Sequence, residues 1–263
     1  MICFQSVHKS FHKHAVLKGI DFHVMAGETK IILGGSGSGK STILKLILGL
    51  EKPDSGSIVV EGEEITNLTE KEFTPIRKKI GMVFQEGALF DSLTLGENTA
   101  YRLRETRGFS EKEIQATVHR LLGFVGLEEA VDKMPAELSG GMRRRAAIAR
   151  ALAGNPKIML YDEATAGLDP ITSRVICELM IKLRDLESVS SIFVTHHLEA
   201  AFLLASQYAR RQPDGQVTFH QEAEDMCLIN TKFLVMEDGR IIAEGSDEEL
   251  FQNQNAYVQE LIT

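Results

Sequence analysis

The stretch Gly34-Gly35-Ser36-Gly37-Ser38-Gly39-Lys40-Ser41 decides the fold of this chain. It follows an apolar run at 31–33 and precedes residues 42–48, whose apolar side chains recur with helical spacing. A strand, a glycine-rich loop ending in Gly-Lys-Ser and a helix, in that order, are typical of a phosphate-binding loop. The glycines let successive backbone N–H groups face one phosphate, and the following helix adds the positive end of its dipole.

This loop predicts a site for a nucleoside triphosphate and Mg²⁺. We expect Lys40 to reach the β- and γ-phosphates and the Ser41 hydroxyl to bind the metal ion. The alternative is a flexible Gly/Ser turn, which the Lys-Ser pair and the flanking pattern disfavour. The predicted phosphate contacts are Gly34, Gly35, Ser36, Gly37, Ser38, Gly39, Lys40, Ser41 and Thr42.

Composition favours an ordinary globular protein. The chain has 263 residues, of which 43% are hydrophobic and 25% charged, enough for one large domain or one domain with a subdomain. The net charge of −8 does not indicate a nucleic-acid partner. No apolar run approaches the roughly 20 residues of a membrane span, and the N-terminus lacks a signal-peptide layout. We therefore expect a cytoplasmic protein, unless a partner holds it at a membrane.

The order of elements predicts an α/β lobe with a helical insertion. Short strands are predicted at 2–7 and 20–25, separated by a polar stretch from Lys9 to Lys18. From 86 to about 135 the periodicity is helical, and Ser110-Glu111-Lys112-Glu113 fits a capping box. We interpret 1–263 as one domain that contains a helical subdomain at about 86–135.

Polar side chains follow three predicted buried strands. Asp162 and Glu163 end one strand, while Gln85 and His196 each follow another. In a parallel sheet these residues would meet at one edge, where Asp162 can hold Mg²⁺ through water and Glu163 can polarise the attacking water. The alternatives are a helix N-cap for Asp-Glu and plain loop positions for Gln85 and His196. Phe11 either stacks on an adenine ring or belongs to the core.

Together these segments resemble the nucleotide-binding subunit of an ATP-binding cassette (ABC) transporter, from about Phe4 to Gly245. The matching motifs are the Walker A loop at Gly34 to Ser41, the Q-loop at Gln85, the signature motif at Leu138, Ser139, Gly140 and Gly141 followed by Met142, Walker B at 158–163, the D-loop at 167–169 with Asp169, the H-switch at His196 and the adenine-stacking aromatic at Phe11.

The resemblance implies an ABC ATPase fold of the α/β class: a RecA-like P-loop lobe, an antiparallel β part and an inserted helical subdomain. It implies hydrolysis of ATP with Mg²⁺, catalysed by Glu163, His196 and Gln85, with Ser41, Gln85 and Asp162 around the metal ion. It also implies a head-to-tail homodimer, in which the signature residues of one subunit contact ATP on the other. Transmembrane permease subunits would dock on the helical subdomain.

A narrower resemblance concerns the substrate. Residues 84–94, 142–145 and 160–163 are similar to the ATPases of Mce-type phospholipid transporters of double-membraned bacteria. This implies a lipid-class substrate, a lipid-binding Mce-type component and a peripheral position on the cytoplasmic face of the bacterial inner membrane. The sequence departs from the wider family at Met142, at Ala164, at His197, where Asp is common, and over 209–230, a connection that is usually short.

Three other functions remain open at this stage. A soluble ABC protein acting on DNA or the ribosome usually carries a tandem cassette, a long coiled coil or a zinc module, and this sequence has none. A regulator without turnover would be expected to lack Glu163 or His196. An importer or exporter of a non-lipid solute differs only in its substrate.

Two segments have predicted roles outside the catalytic motifs. We expect 209–230 to form a surface appendage, because Pro213-Asp214-Gly215 favours a turn and 216–221 alternates like an edge strand. It either contacts a partner or is a tolerated insertion without a role. Arg143, Arg144 and Arg145 are interpreted as a solvated helix face, with some pairing to acids of the helical subdomain.

Overall fold

The computed structural model describes residues 1–106, 108–221 and 229–262. Within them, a six-stranded sheet forms the centre of the molecule. Its strands are β3 (Thr29–Gly34), β6 (Ile80–Val83), β7 (Ile158–Asp162), β8 (Ser190–Val194), β11 (Thr231–Glu237) and β12 (Arg240–Gly245).

The strand order in this sheet is β12-β11-β3-β8-β7-β6, and every pair except β11–β12 is parallel. The carboxyl ends of β3, β6, β7 and β8 therefore lie along one edge. This is the parallel arrangement that the predicted meeting of Asp162, Glu163, Gln85 and His196 at one sheet edge requires. The antiparallel β11–β12 hairpin turns at Asp238-Gly239, both with positive φ, as a two-residue hairpin turn requires.

A second, antiparallel sheet has the order β2-β1-β4-β5 and comprises β1 (Ile2–Phe11), β2 (His14–Val24), β4 (Ser55–Val60) and β5 (Glu63–Glu64). The predicted short strands at 2–7 and 20–25 are therefore too short, and the polar stretch between them belongs to the hairpin. Lys9 shows why: it is buried, its ammonium lies 3.1 Å from the Glu51 carboxylate, and it donates to the Lys52 carbonyl. A polar residue is accommodated inside because its charge is paired.

Helices cover the central sheet. They are α1 (Lys40–Ile47), α2 (Glu70–Arg77), α6 (Pro170–Glu187), α7 (Leu198–Ser206), α8 (Asp247–Phe251) and α9 (Ala256–Ile262). Asp169 caps α6 by accepting from the Thr172 N–H, and Pro170 occupies the first turn, where its missing N–H costs nothing. These local signals begin the helix at Pro170.

The segment between β6 and β7 is helical. It contains α3 (Leu95–Glu105), α4 (Glu111–Phe124) and α5 (Gly140–Leu152), with single 3₁₀ turns at Glu128–Ala130 and Pro135–Glu137. The capping box predicted at Ser110 and Glu113 is present. Arg102 donates to the carbonyls of Ile80, Arg77 and Lys78, which attaches α3 to the start of β6. Division of this segment into a subdomain at 86–135 stays a proposal.

The predicted appendage begins as a two-stranded ribbon of β9 (Gln207–Arg211) and β10 (Val217–Gln221), paired antiparallel. Its base is attached to α6. Buried Arg184 donates to the carbonyls of Leu204 and Gln207, and the Ala209 N–H donates to Asp185 at 2.7 Å. The first strand thus packs on the lobe. The rest of the predicted segment, 222–228, lies outside the described residues.

Replacing 210–228 by a short Gly/Ser linker is expected to leave ATP affinity within about twofold, because the buried anchors Gln207 and Ala209 remain. Arg184→Ala should instead lower the free energy of unfolding by about 3 kcal/mol, since it leaves buried carbonyls without donors and removes the ion pair of Arg184 with Asp185. Denaturant unfolding and titration with a fluorescent ATP analogue measure both. A linker variant that fails to fold would show that the ribbon belongs to the core.

Candidate functional site

The phosphate loop lies between the end of β3 and the start of α1. Gly34 is the last strand residue and Gly39 caps the helix with φ of +103°. A side chain at Gly39 would be strained by that backbone conformation and would lie 2.9 Å from the Val16 carbonyl oxygen. The loop is therefore shaped by backbone that only glycine adopts easily, which agrees with the phosphate-binding interpretation.

Lys40 closes the loop on itself. Its ammonium donates to the carbonyls of Gly34 and Gly35 at 2.7 and 2.8 Å. Burial lowers the pKa of Lys40, while the nearby negative charges of Glu163 and Asp162 act in the opposite direction. A buried cation beside the loop is what an incoming polyphosphate requires.

Ser41 and Asp162 form the part of the site suited to a metal ion. The Ser41 hydroxyl donates to Asp162 Oδ1 at 2.9 Å, across the gap between α1 and β7. Burial is the main reason that the pKa of Asp162 is raised, with Glu163 adding to it and the hydrogen bond from Ser41 opposing it. A hydroxyl and a half-buried carboxylate are hard oxygen donors that suit Mg²⁺. Gln85 is exposed and lies two residues beyond the end of β6, at the same sheet edge.

Glu163 and His196 are in direct contact. His196 Nδ1 lies 2.8 Å from Glu163 Oε1, with the histidine side chain 57% exposed and the glutamate side chain 15% exposed. Glu163 has φ of +52°, an uncommon conformation for a residue with a side chain, and its Oε2 is buried without a partner among the described residues. Such strain is typical of functional positions and is tolerated here because the Glu163 N–H is held by the Val194 carbonyl.

The signature residues lie elsewhere in the same chain. Ser139 caps α5 by accepting from the Met142 N–H, while Leu138 precedes it. Close packing accounts for the glycines: a side chain at Gly141 would collide with Thr172, and one at Gly140 would touch Leu168. Among the described residues, Ser139 makes no hydrogen bond to the phosphate loop. The structure therefore brings together the phosphate loop, Asp162, Glu163 and His196, but not the signature helix.

The interpretation of the three arginines as a solvated face is wrong for Arg144, which is buried, while Arg143 and Arg145 are half-buried. Arg143 donates to the Leu138 carbonyl, buried Arg144 to the Ala166 carbonyl, and Arg145 to the carbonyls of Val125 and Gly126. Their hydrogen bonds go to backbone oxygens, because loop ends offer carbonyls that need donors, and the negative charge of Glu86 also acts on Arg144, where it opposes the lowering of the pKa by burial. Arg144 thereby links the signature helix to the loop that follows Glu163.

Phe11 and Asp169 lie at the periphery of the site. Phe11 ends β1 opposite His14 of β2, and the same strand β2 touches the phosphate loop at Gly39 through Val16 and Leu17. The Lys9 ammonium lies 4.9 Å from the centre of the Phe11 ring. Asp169 is the N-cap residue of α6. It follows Leu168, whose side chain lies beside Gly140 of the signature helix.

Sequence reasoning missed Tyr257. Its phenolic oxygen accepts a hydrogen bond from the Gly35 N–H at 2.9 Å, so α9 reaches the phosphate loop. The partners are 222 positions apart, and no local pattern indicates the contact. β12 runs away from this edge, from Arg240 opposite Glu237 to Gly245 opposite Phe233, so the helices α8 and α9 bring the chain back to the phosphate loop.

Asp162→Asn is expected to make the nucleotide-free protein melt at a higher temperature at neutral pH. The folded-state pKa of Asp162 is raised, so ionisation costs stability as pH rises through that pKa, and an amide avoids the cost. The difference should vanish below about pH 3, where the carboxyl is protonated in both states. The Mg-ATP-induced rise in melting temperature should be smaller, because the amide is a poorer metal ligand.

Asp169→Asn is the matched control with the opposite sign. Hydrogen bonds from Thr172 lower the pKa of Asp169, so its ionised form stabilises the fold above its usual pKa and the benefit disappears on acidification. Differential scanning fluorimetry from about pH 2.5 to pH 8 measures both variants, because the benefit from Asp169 disappears only below its ordinary pKa of about 3.9. If both variants change the melting temperature by the same amount at every pH, the conclusion that burial opposes ionisation of Asp162 is wrong.

A parallel sheet that carries a phosphate loop and an acidic strand end at one edge defines a nucleotide hydrolase of the P-loop class. The sequence pattern of the ABC transporter family matches residues 17–166. The methionine import ATP-binding protein MetN of Clostridioides difficile is 36% identical over all of this chain and 82% of its own length. The probable ribonucleotide transport ATP-binding protein mkl of Mycobacterium bovis is 38% identical over 91% of this chain and 62% of its own length.

A solved structure agrees with these matches. The ATP-binding cassette MJ0796, in a dimeric post-hydrolysis state bound to ADP and Pi, is 31% identical, with a TM-score of 0.77 over 94% of this chain and 98% of that one. The chain belongs to the ABC transporter family, as an ATP-binding subunit with the ABC ATPase fold. It uses ATP with Mg²⁺ and couples ATP hydrolysis to transport. Within the described residues, no helix is long and apolar enough to cross a membrane.

Proposed function

We propose that this chain is the ATP-hydrolysing motor of a bacterial transporter for phospholipid or another lipid-class substrate. The observation that carries the hydrolytic part is the Glu163–His196 contact at the same sheet edge as Ser41 and Asp162. Gly34 to Thr42 bind the phosphates, Ser41, Asp162 and Gln85 surround Mg²⁺, Glu163 polarises water, His196 orients it, and Phe11 stacks on adenine.

The position of the signature helix supports a homodimer. Ser139 to Met142 begin α5 next to Thr172 and Leu168, away from the phosphate loop of their own chain. A helix start offers free N–H groups and positive dipole to a γ-phosphate. A second copy arranged head to tail supplies these residues, with Asp169 near the shared interface. Loss of the γ-phosphate then opens the pair.

Exposed aromatic side chains support a permease docking surface on the helical segment. Phe90 and Tyr101 are each 44% exposed and lie with ring centroids 4.7 Å apart. Clustered exposed apolar surface marks partner contact. Arg150 of α5 donates to the Gly87 carbonyl at 3.0 Å, next to this surface. Movement at Gln85 and at the signature helix is thus transmitted to a docked transmembrane subunit. The same subunit holds this chain at the cytoplasmic face of the inner membrane.

The lipid-class substrate is supported by the local resemblance at 84–94 and 142–145, whose arginines fix the signature helix. Methionine import is the second candidate, because relatives such as the C. difficile protein carry that name. Lipid transport and methionine import differ in the substrate that the membrane complex binds, because the ATP site is common to both.

Purification of the complex from native membranes separates the two candidates. Mass spectrometry of co-eluting material is expected to find permease subunits, a lipid-binding component and bound phospholipid. In proteoliposomes, ATPase activity should respond to the lipid-binding component and not to methionine. Co-purification with a soluble-solute receptor and no lipid-binding component would refute the lipid proposal and leave the ATPase assignment intact.

A further inference from the structure

Two histidines and a glutamate converge beside the reaction centre. Glu163, His196 and His197 each offer a ligand atom, and these atoms lie within 4.8 Å of one another. The rings of His196 and His197 have centroids 4.2 Å apart and planes inclined by 35°. Within the part of the chain that the structure describes, no other group of three His, Cys, Asp or Glu side chains is arranged in this way.

We propose that Glu163, His196 and His197 form a binding site for a transition-metal ion such as Zn²⁺, and that occupancy of this site inhibits ATP hydrolysis. The inference rests on the proposed catalytic roles of Glu163 and His196 for its regulatory part, but the binding part is independent of them. His197 is the residue that turns a catalytic pair into a three-ligand set.

The donor set selects against Mg²⁺. Two imidazole nitrogens and one carboxylate oxygen suit Zn²⁺, Ni²⁺ or Cu²⁺, whereas Mg²⁺ prefers six oxygens in octahedral geometry. The Ser41–Asp162 pair offers oxygen alone and lies in a separate contact. The two sites therefore discriminate between the two classes of ion.

The geometry requires only side-chain movement. Zn²⁺ with ligand bonds of about 2.0–2.1 Å places ligand atoms roughly 3.4 Å apart in a tetrahedral site. The ligand atoms lie within 4.8 Å of one another, so the widest separation must shorten by at most about 1.4 Å, while the 2.8 Å contact between His196 Nδ1 and Glu163 Oε1 must lengthen slightly. His196 is exposed and can rotate, and Glu163 Oε2 has no partner among the described residues. Three protein ligands leave a fourth position for water.

The backbone beneath the three ligands is fixed. The Glu163 N–H donates to the Val194 carbonyl, and the His197 N–H donates to Thr195 Oγ1, both at 2.9 Å. Thr195 is fully buried. These hydrogen bonds fix the backbone from which the side chains of Glu163 and His197 extend.

Metal binding would prevent ATP hydrolysis without preventing ATP binding. A coordinated Glu163 carboxylate no longer accepts a proton from water, and a coordinated His196 no longer orients it. The phosphate loop and Lys40 are not among the ligands, so ATP should still bind. The expected behaviour is an ATPase that retains ATP and stops hydrolysing when free Zn²⁺ rises.

The test compares the full chain with His197→Asn and with His119→Asn, which alters an exposed histidine on α4. Isothermal titration with ZnCl₂ in the absence of nucleotide is expected to show one ion per chain, with binding weakened at least about tenfold by His197→Asn and within about twofold of wild type for His119→Asn. ATPase rates are then measured at millimolar Mg-ATP and buffered free Zn²⁺, each normalised to the same variant without zinc. Zinc should inhibit wild type and His119→Asn to a similar extent and should inhibit His197→Asn less.

Each outcome decides one proposal. Absence of a stoichiometric site in wild type, or unchanged binding and inhibition in His197→Asn, overturns the metal site and leaves the proposed ATPase untouched. Zinc binding that depends on His197 in a protein without ATPase activity sustains the site and refutes the catalytic proposal. Loss of ATP-analogue binding on adding zinc would overturn the inhibition mechanism, since the phosphate loop would then be affected.

Discussion

Glu163→Gln is expected to slow ATP hydrolysis by about 10²–10⁴-fold while ATP affinity persists. The amide keeps the size of the side chain and a hydrogen-bonding oxygen for His196, which lies 2.8 Å from Glu163 Oε1. It cannot accept the proton of the attacking water. Lys40, Ser41 and Asp162 are unchanged and continue to hold Mg-ATP.

The same variant should accumulate as a dimer in ATP and Mg²⁺. With the γ-phosphate uncut, the contact to Ser139 and Gly141 of a second copy persists, whereas wild type returns to monomer or an open dimer as ATP is consumed. Size-exclusion chromatography with light scattering, run beside a phosphate-release assay, measures both effects.

Glu199→Gln provides the matched control, because Glu199 is exposed in the first turn of α7, close in sequence to His196 but outside the site. It should hydrolyse ATP at the wild-type rate and, like wild type, return to monomer or an open dimer as ATP is consumed. If Glu163→Gln also hydrolyses at that rate, the assignment of the catalytic carboxylate is wrong, and His196 becomes the next candidate.

Local sequence signals were sufficient for much of the site. Three local features place α5, α6 and β7 close to where the structure has them, because each acts within one or two turns of chain: the capping residue Asp169, the helix stop at Gly154-Asn155-Pro156 and the apolar run at 158–161. The parallel sheet then brings Asp162, Glu163 and His196 to one edge, as expected from strands that end in polar residues.

Features that depend on residues distant in the sequence could not be predicted from local sequence signals. The polar residues from 9 to 18 did not reveal two long strands, because Lys9 is buried only through its pairing with Glu51. Arg144 has the local pattern of a solvated residue, yet the Ala166 carbonyl binds it in the interior. Tyr257 reaches Gly35 from the other end of the chain. Each case is decided by a tertiary partner that no local spacing specifies.

Lys40→Ala should weaken ATP binding itself, in contrast to Glu163→Gln. The ammonium is the positive charge beside the predicted β- and γ-phosphate positions, and charge-assisted hydrogen bonds of this type contribute roughly 1.5–3 kcal/mol each, or about 10- to 150-fold in affinity. The nucleotide-free loop also loses the bonds from Lys40 to the Gly34 and Gly35 carbonyls, so melting temperature must be checked alongside affinity. Lys71→Ala, at an exposed position on α2, removes the same charge away from the site and should bind ATP like wild type. Titration with a fluorescent ATP analogue gives the affinities. A folded Lys40→Ala protein that binds the analogue as tightly as wild type would show that the loop amides and helix dipole suffice, and would remove Lys40 from the phosphate site.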